Sequence, residues 1–153
     1  MKELINTKIQ LYQYCMEYVQ GRIDSFKKAM NEAQEAANEE SKSSAGDKYE
    51  TGRAMMQLER DKNARQLAEA LQLQKVLHQI QPQKENLQVT LGSLVFTNKG
   101  NYYIAISAGK IELDREIYYA IAANTPLALK LNNLKLNEEV LFNSQLYTIE
   151  KLI

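Results

Sequence analysis

Asp47 and Glu50 stand three residues apart, directly after the small polar run Ser43-Ser44-Ala45-Gly46. Residues three apart on a helix are surface neighbours, so the pair suits two kinds of chemistry. The local one is a variant capping box: Asp47 accepts from a backbone N–H at the helix start and Glu50 reaches back to the amide at the cap. The other is metal chemistry. Magnesium is commonly held by one or two carboxylates plus substrate phosphates and keeps several waters, so two exposed acids are an incomplete site that a second macromolecule must finish. In a two-metal displacement at a phosphodiester, one ion activates water and both stabilise developing charge.

Few other residues offer chemistry. The chain has one cysteine, Cys15, and one histidine, His78. Cys15 lies in a helical stretch beside Met16 with no histidine nearby, which reads as a packed or half-exposed thiol. A lone Cys and a lone His leave no set for a zinc site or a Cys-His nucleophile. Nineteen basic and nineteen acidic side chains cancel. The cancellation also holds by halves, 12 against 12 over residues 1–80 and 7 against 7 over 81–153. Neither half has the excess of cations that binds phosphate backbones or anionic lipid, so little independent nucleic-acid binding and no membrane are expected. No run of eighteen apolar residues occurs and the Met-Lys-Glu start lacks a signal-peptide core, which predicts a soluble, cytoplasmic protein.

The elements that must position the acid pair are written in the hydrophobic period. Ile5, Ile9, Tyr12, Met16, Val19, Ile23, Phe26, Met30, Ala33 and Ala37 recur at alternating spacings of four and three, an unbroken heptad seam. It predicts a helix from about residue 3 to 40. The rhythm stops across 41–50, the expected tip, and a second helix is predicted from Asp47 to about Ile80 on Met55, Leu58, Ala64, Leu67, Ala68, Leu71, Leu73, Val76, Leu77 and Ile80. So short a tip makes the two helices antiparallel neighbours over residues 1–80; an intermolecular coiled coil is the alternative. Residues 81–87, around Pro82, form a linker. Over 88–153 the period changes to two, in runs at Val89–Thr97, Tyr102–Ser107, Glu116–Ala122, Glu139–Asn143 and Leu146–Leu152. Thr125-Pro126 opens a short helix to about Leu131, with Thr125 as N-cap. The expected fold class is α+β: an N-terminal antiparallel helical hairpin, then a small antiparallel sheet with one short helix.

The tip Gly46-Asp47-Lys48-Tyr49-Glu50, the segment Thr125-Pro126-Leu127-Ala128-Leu129-Lys130-Leu131-Asn132-Asn133 and the following Glu138-Glu139-Val140, in this order behind a long hairpin, resemble the GreA/GreB transcription elongation factors. That family's tip reads Gly-Asp-x-x-Glu. The resemblance implies a C-terminal domain of FKBP-like fold that grips the rim of the secondary channel of bacterial RNA polymerase. It also implies a hairpin inserted into that channel, near the 3′ end of the nascent RNA. Asp47 and Glu50 become the carboxylates that assist a polymerase-bound magnesium in cleaving backtracked RNA; the chain has no cofactor of its own and is an accessory factor, not an enzyme. Lys48, Tyr49 and Arg53 become contacts to the partner, Tyr49 alternatively folding back onto the hairpin end. Glu39, Glu40 and Lys42 are either solvated charges or part of the tip's field.

After the acid pair the family's Asn-Ala-Glu-Tyr is here Thr51-Gly52-Arg53-Ala54, which removes an acid and an aromatic. A second function therefore stays open, a Gre-fold regulator that occupies the same channel without stimulating cleavage. A third, an FKBP-like isomerase or chaperone, rests on fold analogy alone. Asn133 stands where the family favours glycine and is expected to take the left-handed turn.

Overall fold

The computed structural model describes residues 2–40 and 46–153, with side chains described over 2–39 and 51–153. Helix α1 spans Lys2–Glu40 and α2 spans Gly46–His78, packed together within one chain. Six strands follow: β1 (Leu94–Thr97), β2 (Gly100–Ala105), β3 (Gly109–Leu113), β4 (Glu116–Ala122), β5 (Glu139–Phe142) and β6 (Gln145–Leu152), with α3 (Pro126–Leu131) between β4 and β5. The α+β class read from the periods is the one observed. The chain forms two compact units, Met1–Tyr18 with Lys75–Ile153, and Val19–Gln74.

In the second unit, α1 buries Val19, Ile23, Ala33 and Ala37 as the heptad requires. The α2 seam has a different phase from the one expected. Met56, Arg60, Asn63, Leu67, Ala70 and Gln74, again at alternating fours and threes, are the buried or half-buried line, whereas Met55 and Leu58 are 61% and 69% exposed. The apolar residues mislead here because the seam itself is partly polar. Asn63 satisfies its amide on the Glu59 carbonyl at 3.0 Å, and the Gln74 amide donates across the hairpin to Gln20 at 3.2 Å. A buried polar side chain in a seam favours one register over its neighbours.

In the first unit the most buried line of α1 is Lys8, Leu11 and Cys15, all fully buried, while Ile5, Ile9, Tyr12 and Met16 are only half-buried. Here α1 answers to α2 and to the sheet together. The Tyr12 hydroxyl donates to the Leu77 carbonyl at 3.1 Å, and the hydroxyl of Tyr103 on β2 lies within electrostatic reach of Cys15 and Tyr12. Gly92, with φ +92°, brings the backbone against Ile80, whose Cγ2 would stand 3.0 Å from a Cβ at that position. Both the conformation and the contact call for glycine.

The sheet has strand order β3-β4-β2-β1-β6-β5. Four pairings are antiparallel, as expected; β2 and β4 are parallel, because the chain leaves β2 for the far edge and returns through β3 into the gap. Strand β3 lies outside the runs expected from the sequence. Its five residues, Gly-Lys-Ile-Glu-Leu, bury a single side chain, Ile111, too weak a pattern to stand out. Conversely, Val89 is held outside any strand, donating to Leu134 O and accepting from Asn133 N, both at 2.8 Å. Asp114-Arg115 and Asn143-Ser144 take left-handed φ at both central positions, the geometry that closes two-residue hairpins.

One sheet face carries the core beneath α3: Val89, Val95, Ile104, Ala128, Leu131, Tyr147 and Ile149. Thr125 caps α3 as expected, its Oγ1 accepting from the Ala128 amide at 3.4 Å. Asn133 adopts φ +69°, the left-handed turn its position calls for.

The Tyr103 hydroxyl is buried without a hydrogen-bond partner among the described residues. Leaving a hydroxyl unsatisfied costs about 1–3 kcal/mol. Tyr103→Phe is therefore expected to keep or raise stability by about 1 kcal/mol in urea unfolding; a loss of that size would mean that the hydroxyl is partnered in solution.

Candidate functional site

The candidate site is the start of α2. The backbone of Asp47 and Glu50 is helical and places the two positions three apart in the opening turns of the helix. The side chains of Asp47, Lys48, Tyr49 and Glu50, on which the capping and metal-lending readings fall, lie outside the described residues, as do those of Glu40 and Lys42. Glu39, at the end of α1, is exposed. Two residues beyond Glu50, Gly52 is half-buried, four residues before Met56 on the α2 seam; Arg53 is exposed and engaged with a neighbour.

The other candidate residues are placed by their surroundings. Cys15 is fully buried, and burial pushes its thiol up to about 12, which removes it as a nucleophile at neutral pH. His78 is exposed at the last position of α2. Among the described residues no three His, Cys, Asp or Glu side chains come close enough together to hold a metal. A cavity of about 210 Å³ beside the linker is walled by Gln79, Gln81, Lys84, Asn86, Thr90 and Leu91, without an acid-base pair or a nucleophile.

The tyrosines on the α3 side of the sheet are packed on one another. Tyr102 and Tyr119 lie 6.0 Å apart at 31°, Phe142 and Tyr147 6.0 Å apart at 67°. Burial, with Tyr147 next in effect, pushes the Tyr102 hydroxyl up to about 12.

Sequence reasoning missed one charged residue. Lys8 is fully buried, and its Nζ donates to the Lys84 carbonyl at 2.6 Å. The available signal was its spacing to Leu11 and Cys15, three and then four residues, which places all three on one helical stripe. Compared with known proteins, the chain matches no family model, no curated protein and no solved structure.

Proposed function

We propose that this chain is a Gre-like accessory factor of bacterial RNA polymerase, and that the start of α2 lends Asp47 and Glu50 to the polymerase's own cleavage of backtracked RNA. The observation that carries the reading is a helical hairpin made within one chain, with Gly46-Asp47-Lys48-Tyr49-Glu50 opening its second helix. α1 alone has 39 residues, a length on the order of 60 Å, which suits entry into a channel. The second motif of the resemblance also keeps its local form, from the Thr125 cap through the left-handed Asn133 to the hairpin of β5 and β6. No helix among the described residues is long and apolar enough to cross a membrane.

In this reading Asp47 and Glu50 would help to hold a magnesium ion shared with the polymerase, and that ion would supply an activated water for attack on the RNA phosphodiester. Asp47 and Glu50 orient and neutralise; the C-terminal unit, taken as FKBP-like, grips the channel rim. Arg53, in place of an acid, favours the second reading, a factor that fills the channel without cleavage. Adding the protein to a backtracked elongation complex separates the two. Short RNAs carrying the original 3′ end are expected on the first reading; slower nucleotide addition without them would decide for the second.

A further inference from the structure

Lys8 is an ammonium sealed at zero exposure, and its described partner is one carbonyl, that of Lys84 in the linker. An ammonium carries three donors, so a single acceptor leaves most of its lost hydration unreplaced. Lys84 belongs to the turn that closes the segment after α2: its amide donates to the Gln81 carbonyl at 3.0 Å. Among the described hydrogen bonds, the one from Lys8 is the tie between α1 and the linker.

We propose that the linker over residues 81–87 is a strap closed over Lys8, held in equilibrium with an opened form in which the lysine reaches water, and that loss of the Lys8 proton drives the strap shut. This is a device of the first unit and is independent of the polymerase reading.

The closed form disfavours the charged lysine, and burial brings its pKa from 10.5 down to about 8. The charged groups that act on it are on the linker, Glu85 favouring the ammonium and Lys84 opposing it. In the opened form the amine regains its ordinary affinity for protons. A group that binds protons more tightly in the open state shifts the balance toward opening at low pH and toward closing as pH rises. With the two values above, the opening constant is nearly flat below pH 7 and falls about tenfold between pH 7 and 9.

The test is amide hydrogen exchange at Lys84 and its neighbours in the full chain, corrected for intrinsic base catalysis. Protection is expected to rise about tenfold from pH 7 to 9 in the wild type and to be high and independent of pH in Lys8→Met. Glu85→Gln, at an exposed position, is the second variant; it removes the charge that favours the ammonium and so should move the rise to lower pH. Constant protection in the wild type, the same rise in Lys8→Met, or an unmoved transition in Glu85→Gln would overturn the proposal.

Discussion

Lys8→Met should melt about 5 °C above the wild type at pH 7, and the gap should close by about pH 10. The sign follows from proton linkage. An unfolded lysine binds its proton up to 10.5, the folded one only up to about 8, so between these values the unfolded chain holds more protons and wild-type stability climbs with pH. Below pH 8 both states are charged and the full penalty is present, on the order of 3 kcal/mol. Methionine has a similar length and no charge to desolvate. It forfeits a hydrogen bond of about 1 kcal/mol, leaving a net gain of about 2 kcal/mol, or several degrees in a domain of this size. The wild-type climb is turned back above pH 9, because Cys15 and Tyr102 hold their protons to about 12 in the fold and lose that advantage as the unfolded groups ionise. Thermal melts at half-unit pH steps check this. A Lys8→Met protein less stable than wild type at pH 7 would show that the ammonium is better solvated than its burial implies.

Asp47→Asn should abolish most stimulated RNA cleavage, a fall of about a hundredfold or more, while leaving the hairpin folded. Asparagine caps a helix about as well as aspartate, so the substitution removes charge and spares the local structure. Losing one ligand or charge-stabilising group at a reacting phosphodiester is worth roughly 2.7–4 kcal/mol by analogy with other preorganised electrostatic sites. Glu50→Gln should behave alike. Arg53→Glu tests the departure from the family pattern: restoring an acid one turn along should raise cleavage several-fold above wild type. Cleavage assays with purified polymerase and circular dichroism on the same samples separate charge from fold. Equal cleavage by wild type and Asp47→Asn would leave the pair as a helix cap.

Periodicity made the large elements legible. α1 was readable because its heptad repeat is apolar from Ile5 to Ala37, although in the first unit Lys8, Leu11 and Cys15 are the more deeply buried line, and α3 because Thr125-Pro126 announces a helix start. α2 was legible as a helix but not in its phase, since Arg60, Asn63 and Gln74 occupy seam positions while Met55 and Leu58 lie outside. Hydropathy cannot distinguish a polar residue chosen for register from one facing water. β3 escaped for the opposite reason: an edge strand with one buried side chain has almost no pattern. The parallel pairing of β2 with β4 is a matter of topology, which local patterns do not encode. Lys8 escaped because a lysine is ordinarily solvated, and only a three-dimensional arrangement reveals that its surroundings have closed over it. The acid pair was legible in full as residue types and spacing. Its candidate role comes from the resemblance, since a D-x-x-E at a helix start is the same text whether it caps or coordinates.

The central claim is that this chain works inside a polymerase, and sedimentation of the purified protein with and without purified bacterial RNA polymerase tests it most directly. The account predicts a 17.5 kDa monomer alone and stoichiometric transfer to the polymerase boundary when the two are mixed. A chain that sediments unchanged beside the polymerase, or that pairs with a second copy through its helices, would contradict it.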